Sequence, residues 1–122
     1  MKVLLGVGGS DGSFAALADT VDRAAEAGDE VTVAVVDRED IALTPEDVET
    51  EVRERLADAG LDPEIRRLSG HPGSKLVELA EREGFDRLVL AGGERSPLGK
   101  IQFDETLEFV LLNSETTVTL VR

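Results

Sequence analysis

The sequence alternates short apolar runs with segments of helical periodicity from one end to the other. Between the runs, apolar residues recur every three or four positions, which predicts four amphipathic helices. Strands that alternate with helices form parallel sheets covered on both faces. We therefore predict one α/β domain, an open five-stranded parallel sheet with helices on both faces. The predicted strands are 2–8, 30–37, 64–70, 86–91 and 116–121.

Polar residues in front of the helical segments predict where the helices begin. Ser13 is predicted to cap the first helix and Thr44 the second. His71, the single histidine, precedes a proline and is interpreted as a turn or cap residue rather than a general base. The last helix is predicted to run from about Asp104 to Asn113. Since cysteine is absent and His71 has no evident partner, the sequence predicts no catalytic residue and no metal site.

Acidic residues outnumber basic ones by 26 to 13, which gives a formal net charge of −13. They are spread along the chain rather than gathered in a tail, so we expect a solvated acidic surface. Such a surface repels nucleic acid and anionic membranes, and neither is expected as a partner. It is typical of a halophilic protein adapted to high intracellular salt, although a low pI also occurs in proteins from ordinary salt.

The first residues and the apolar runs bear on location. Met1 and Lys2 lead directly into the first predicted strand, without the features of a signal peptide. Every apolar run is far shorter than the ~20 residues that span a bilayer. We therefore expect a cytoplasmic protein.

Two glycine-rich loops, 6–13 and 91–100, follow the first and fourth predicted strands. In open parallel sheets, ligands bind beyond the carboxyl ends of the strands, where the strand order reverses. The first loop is not a dinucleotide fingerprint, because its third glycine would fall on Asp11. The second is not a Walker A loop, because it is one residue too long and Ile101 replaces the magnesium-binding Ser or Thr. The position therefore indicates a ligand site, and the motifs do not identify the ligand.

Segments from all parts of the chain carry a family resemblance. They are "VLLGVGGSDGS" (3–13), "GHPGSKLVELA" (70–80), "DRLVLAGG" (86–93) and "FDETLEFVLLNSETTVTLVR" (103–122). Together they resemble the universal stress protein family over residues 1–122, as one domain. "RSPLGK" followed by "VLLN" resembles a branch from halophilic archaea, in agreement with the charge. The resemblance implies strand order 3-2-1-4-5 and a homodimer.

The resemblance also implies a nucleotide site, because ATP-binding members carry an Asp in the first loop, then G-x-x-G, then G-[ST] before the last helix. Aligned on "RSPLGK", these positions hold Gly8, Ala91 and Glu94, and finally Asp104 and Glu105. A shift of one residue would restore a glycine at 92 but not the final pair. The family site would then comprise Gly8, Gly9, Ser10, Val36, Gly92, Gly93, Arg95, Lys100, Asp104 and Glu105.

Two carboxylates stand where that site would hold phosphate. The N-terminus of a helix attracts anions, and Asp104 can supply the negative oxygen from within the chain as an N-cap. Arg95 and Lys100 would offset part of the repulsion between Asp104 or Glu105 and a phosphate. We therefore expect a degenerate nucleotide site in a non-catalytic stress-response protein, without a cofactor. The alternatives are an ATP- or AMP-binding switch with an altered phosphate loop and, third, an enzyme acting on a small acid or phosphate.

The predicted partners are a second copy of the chain and unknown proteins. In the implied strand order, the third and fifth strands are the edges of the sheet. The third carries Arg66 and Arg67, and edge charges discourage strand pairing. The fifth, 116–121, is uncharged and rich in β-branched residues, so we expect the homodimer to form there.

Overall fold

The computed structural model describes residues 1–38, 41–92, 94–95, 101–102 and 104–121, with the backbone alone at 94–95 and 101–102. The strands are β1 (Lys2–Val7), β2 (Glu30–Val36), β3 (Glu64–Leu68), β4 (Arg87–Ala91), β5 (Glu94–Arg95), β6 (Ile101–Gln102) and β7 (Thr117–Val121). The helices are α1 (Asp11–Ala27), α2 (Pro45–Asp58), α3 (Pro72–Arg82) and α4 (Glu105–Asn113).

The main sheet has five parallel strands in the order β3-β2-β1-β4-β7. Because β7 is the fifth predicted strand, the predicted architecture and the order 3-2-1-4-5 are both confirmed. The order reverses between β1 and β4, which puts the carboxyl ends of these two strands at the switch point. The sequence did not predict the short antiparallel pair of β5 and β6, two-residue strands that lie within and directly after the second glycine-rich loop. Two residues are too few to show a period in sequence.

The core consists of two apolar layers, one on each face of the sheet. Leu5 of β1 packs in the layer beneath α1 and α2, whereas its neighbour Leu4 packs in the layer beneath α3 and α4. Both side chains are fully buried. Since successive strand residues point to opposite faces, a central strand covered on both sides must be apolar at nearly every position. This is why β1 and β2 are continuous apolar runs.

Caps fix where the helices begin. Thr44 and Asp47 form the predicted capping box, and Nδ1 of His71 accepts the Ser74 N–H at 3.0 Å. The prediction that Ser13 caps α1 is wrong, because Ser10 is the N-cap and accepts the Ser13 N–H at 3.1 Å. The Ser13 hydroxyl instead donates to the Ser10 carbonyl and accepts from Gly9, inside the first turn. Either serine fits the sequence, and tertiary placement of the turn selects the earlier one.

A candidate ligand site at the carboxyl end of the sheet

The switch point between β1 and β4 forms a narrow crevice. Its walls include Gly8, Ser10, Val36 and Asp104, four of the residues that the sequence assigns to the site. They come from the end of β1, the cap of α1, the end of β2 and the cap of α4. The cavity volume is only about 30 Å³. The structure thus assembles these predicted residues, but around a space that is nearly filled.

Arg38 fills much of this space. It lies just beyond β2, and a Cβ built on Gly8 would be 2.5 Å from the Arg38 Cδ, so the aliphatic part of Arg38 covers the Gly8 backbone. Its Nη1 lies 3.3 Å from Oδ2 of Asp104. Both side chains are largely shielded from solvent, with 15 and 30 % of their surface exposed. The side chain of Arg38 therefore crosses the crevice from β2 to the start of α4.

Asp104 uses both of its carboxylate oxygens within the chain. Oδ1 accepts the Leu107 N–H at 2.8 Å, which caps α4 as the sequence predicts. Oδ2 faces Arg38. A carboxylate that accepts a backbone N–H and pairs with a guanidinium is a strong, directional partner for both. The positive end of α4 thus already holds an anion, one that belongs to the protein itself.

The first glycine loop is also covered from the other side. Gly9 has φ of +100°, a conformation that favours glycine. A Cβ at this position would lie 2.9 Å from Cγ2 of Val48 and 3.2 Å from Cγ2 of Ile41. Apolar side chains from α2 and from the segment before it therefore pack directly against the loop. The glycine of this loop allows close approach to its backbone, and side chains of the chain itself occupy that space.

A wider crevice of about 770 Å³ adjoins the narrow one. It opens between the start of α3 and the start of α4, with His71 on one side and Glu105 and Thr106 on the other. The His71 ring packs edge-on against Phe109, with 4.8 Å between ring centroids. Asp37, Arg38 and Asp104 complete the charged part of its wall. Three carboxylates therefore stand in this wall beside one arginine and one histidine.

The remaining predicted site residues lie around the second glycine-rich loop. The Gly92 N–H donates to the Val121 carbonyl at 2.6 Å, which holds the end of β4 to β7. Arg95 lies in β5, where only its backbone is described. Gly93 and Lys100 lie outside the described residues. The structure therefore places Gly92 directly after β4, bonded to β7, and leaves the predicted contribution of Arg95 and Lys100 a prediction.

The ionisable side chains that line the two crevices are those of Asp37, Arg38, His71, Asp104 and Glu105. Among the described residues, no group of three or more His, Asp or Glu side chains is arranged to hold a metal ion. The pKa of Glu83 is lowered because Arg66 donates a hydrogen bond to it, but this pair links β3 to the end of α3, away from the crevice.

No helix in the described part is long and apolar enough to cross a membrane.

Sequence reasoning missed Arg38, although a signal was present. In a chain with twice as many acidic as basic residues, an arginine immediately after a strand that ends at the switch point is a candidate partner for any acid nearby. The sequence predicted Asp104 at the same edge of the sheet. It could not show that the two side chains meet, because 65 residues separate them along the chain.

Comparison with known proteins identifies the family. The family model described as "Universal stress protein family" matches residues 1–122. None of the curated proteins matches the sequence significantly.

Solved structures agree with the family model. A universal stress protein from Archaeoglobus fulgidus is 19 % identical with a TM-score of 0.81, the match covering 100 % of this chain and 98 % of that one. A universal stress protein in complex with cAMP is 26 % identical, with a TM-score of 0.75 and coverage of 100 and 97 %. Another structure from A. fulgidus, in complex with dAMP, is 16 % identical, with a TM-score of 0.75 and coverage of 100 and 98 %. By sequence and by fold, this chain belongs to the universal stress protein family.

Proposed function

We propose that this protein is a non-catalytic stress-response protein that acts through a homodimer and protein contacts, and that its own side chains close its nucleotide site. The observation that supports this function is the Arg38–Asp104 pair across the switch-point crevice. Arg38 covers the backbone of Gly8, and Asp104 occupies the N-terminus of α4.

The energetic cost of admitting a nucleotide there has two parts. The phosphate must first displace the Asp104 cap, which costs about 1 kcal/mol. It then faces the displaced carboxylate and Glu105, and two like charges about 4 Å apart repel by up to about 4 kcal/mol at an effective dielectric of 20. The narrow crevice of about 30 Å³ is also well below the roughly 300 Å³ of the smallest usual ligand pockets.

Isothermal titration calorimetry of the wild type with ATP and AMP in molar KCl tests this proposal. We expect dissociation constants of about 1 mM or weaker, corresponding to a binding free energy of about −4 kcal/mol. Micromolar binding would contradict the closed site. Molar salt belongs in the test because it screens the long-range repulsion from the acidic surface, so that weak binding there cannot be attributed to net charge alone.

The second candidate function is a regulatory switch that binds ATP or AMP through an altered phosphate loop. Two similar structures are complexes with cAMP and with dAMP, and the wider crevice of about 770 Å³ has room for a ligand of that size. This function predicts that AMP or cAMP binds at micromolar concentration and perturbs the amide resonances of His71 and Thr106, which line that crevice. Resonances unchanged at millimolar nucleotide would favour the closed site instead.

The homodimer forms through the strand at 116–121, in which β7 lies. The outer side of β7 is an edge of the sheet, and its Val118 and Leu120 are only partly buried. Beside it, α4 exposes Leu111 by 40 % and Leu112 by 76 %. At the opposite edge, Arg66 of β3 is paired with acidic side chains. An uncharged edge next to exposed leucines supports pairing with a second copy.

Light scattering at high salt should therefore give twice the chain mass. Val118→Lys and Leu120→Lys should halve it, but both side chains also pack on the core. Thr119→Lys puts the lysine on the other face of the strand, where Thr119 is half-buried, and should also halve the mass. Glu64→Lys, which places a lysine on the β3 edge, is the matched control and should remain dimeric. A monomeric wild type would contradict this assembly.

The working environment is a cytoplasm of high salt, in keeping with a halophilic branch of the family. The support is the net charge of −13 on 122 residues, together with ten Arg against three Lys. At 1 M ionic strength, the range of charge repulsion falls to about 3 Å, so such a surface then costs the folded state little. Acidic side chains spread over every helix fit this environment.

A further inference from the structure

A groove of about 420 Å³ lies at the amino end of the sheet, the end opposite to the switch-point crevice. Its apolar floor is formed by Val21 and Ala24 of α1, Val31 of β2, and Leu61 just before β3. Val21 and Val31 belong to the buried core layer, and Ala24 and Leu61 pack against it half-exposed. The groove therefore exposes part of the core layer.

The local sequence explains why the groove stays open. The side of α1 that faces the groove ends in Ala24 and Ala25, whose side chains are too short to reach the chain that leads into β3. On the other side, α2 ends at Asp58, and Pro63 follows in an extended segment without helix. Because two small residues face a segment without a helix, apolar surface remains uncovered.

The charged side chains that line the groove share one sign. In this fold, helices run opposite to the strands, so the C-termini of α1 and α2 both point to this end and carry partial negative charge. α1 has no basic residue in its last turn. Asp29, Glu30, Asp62 and Glu64 line the rim.

Half of these rim carboxylates are available to a ligand. The side chain of Asp29 is buried and pairs with the N-terminal ammonium of Met1 at 3.5 Å and with Nε of Arg23 at 3.9 Å, and Glu64 is paired with Arg66. Glu30 and Asp62 have no ion pair with the described residues, and both are solvent-exposed or half-exposed. Burying positive charge next to them, above an apolar floor, would satisfy both the carboxylates and the helix ends.

We propose that this groove binds an amphipathic organic cation, namely an ammonium group carried on an alkyl chain. The apolar floor takes the chain, and Glu30 and Asp62 take the ammonium. The volume falls in the range of about 300–1,000 Å³ that is typical of small-molecule sites. Eleven residues line the groove, fewer than the roughly 20–30 residues a side of a stable protein interface, which favours a small ligand over a protein. The proposal does not depend on the state of the nucleotide site.

Calorimetry with three probes separates the two parts of the recognition. Hexylammonium has both the charge and the chain, hexanol has the chain alone, and ammonium ion has the charge alone. Hexylammonium should bind at least about tenfold more tightly than either of the others, since each part adds about 1.4 kcal/mol or more. Absence of hexylammonium binding, or equal binding of hexanol, would overturn the proposal. The titrations are made at the lowest KCl concentration at which circular dichroism shows the native fold.

Matched variants then locate the site. Glu30→Gln with Asp62→Asn should weaken hexylammonium binding about tenfold. Asp19→Asn with Asp22→Asn changes the net charge equally on a part of α1 that does not line the groove, and should change affinity by less than twofold. Equal losses in the two double variants would mean that only the overall charge matters, and would overturn the site.

A third variant tests the apolar floor without removing charge. Ala25→Leu places a larger side chain in the groove at an exposed helical position, so it should fold normally and lose most of the binding. In the wild type, hexylammonium should shift the amide resonances of Val21 and Leu61 and leave those of Gly8 and Asp104 unchanged. Shifts confined to the switch-point end would overturn the assignment.

Discussion

The two ends of the sheet differ in how side chains balance the partial charges of the helix termini. At the carboxyl end, helix N-termini converge, and the chain supplies its own acceptors from Ser10, His71 and Asp104. Arg38 then covers the switch-point crevice and leaves about 30 Å³ there, beside the wider crevice of about 770 Å³. At the amino end, helix C-termini converge, and the groove of about 420 Å³ is rimmed by more negative charge. At the carboxyl end, groups of the chain itself balance the partial charges of the helix termini. At the amino end, they do not.

The difference shows that the fold and the side chains set different properties. Parallel strands joined by helices necessarily place the positive helix ends at one edge and the negative ends at the other. Whether each edge is closed or open depends on a few side chains. An arginine and an aspartate fill the switch-point crevice at the first edge, and two alanines leave the groove at the second edge open.

The largest expected effect is that of salt on thermal stability, and the net charge behind it is not distributed equally between the two ends of the sheet. Because the acidic side chains behind the net charge of −13 repel one another, the thermal midpoint should rise by at least about 10 °C between 0.1 and 2 M KCl. Glu30→Gln with Asp62→Asn should raise the midpoint at low KCl and have little effect at 2 M, since these acids have no ion pair with the described residues. Calorimetric melts measure both. A midpoint independent of salt would remove the case for a halophilic protein.

The next largest effect is expected from variants that open the switch-point crevice to a nucleotide. Asp104→Gly with Glu105→Ser removes the internal cap and the repulsion, so ATP affinity should rise about tenfold or more in molar KCl. Loss of the cap should lower the free energy of unfolding by about 1 kcal/mol. Adding Glu94→Gly should raise affinity further, because it removes a side chain at a position where the family resemblance implies a glycine. Calorimetry with ATP and urea unfolding measure the two quantities.

The control for that experiment is the same pair of acidic-to-neutral changes elsewhere, Asp19→Gly with Asp22→Ser. It alters net charge equally without touching the crevice, and ATP affinity should stay at the wild-type level. If the crevice variants gain no affinity either, the shape of the loop around Gly8 rather than the carboxylates closes the site.

A smaller effect is expected when Arg38 alone is changed. Arg38→Gln should lower the free energy of unfolding by about 1 kcal/mol, because it leaves Oδ2 of the half-buried Asp104 without its guanidinium. It should not raise ATP affinity alone, since the carboxylate then repels phosphate more strongly. Combined with Asp104→Gly, it should raise affinity beyond that of Asp104→Gly. Urea unfolding and calorimetry over this double-mutant cycle measure the coupling.

Arg23→Gln serves as the comparison for Arg38→Gln. Arg23 is 60 % exposed, and its Nε lies 3.9 Å from Asp29, so the change should shift the free energy of unfolding by less than about 0.5 kcal/mol. Equal effects of the two variants would show that Arg38 is an ordinary surface residue.

The smallest effect is a pH dependence at the amino end, where Arg66 pairs with Glu83 at the end of α3. This pairing lowers the pKa of Glu83 below its ordinary value of 4.5. A lowered pKa contributes stability above about pH 4.5, and this contribution is lost as pH falls through the folded-state value. Glu83→Gln should therefore be slightly less stable at pH 7 and lose less stability between pH 5 and 3. Melts over that range, with Glu81→Gln as the control, measure the difference.

Much of the fold was predictable because it depends on local pattern. The five parallel strands, the four helices and the capping roles of Thr44, His71 and Asp104 follow from periodicity and cap chemistry. The cap of α1 was predicted three residues too late, because Ser10 and Ser13 both satisfy the local rule. The place of the candidate site was also predictable, since the strand order fixes the switch point.

The sequence by itself determined the layered architecture, the acidic surface and the presence of a carboxylate at the start of the last helix. These depend on residues close together in the chain or on composition. Only the tertiary structure decided that Arg38 reaches Asp104 and that the end of α1 leaves a groove beside Leu61. Both are contacts between side chains far apart in sequence. Their outcome depends on side-chain length and direction after the sheet has formed, which no periodic pattern records.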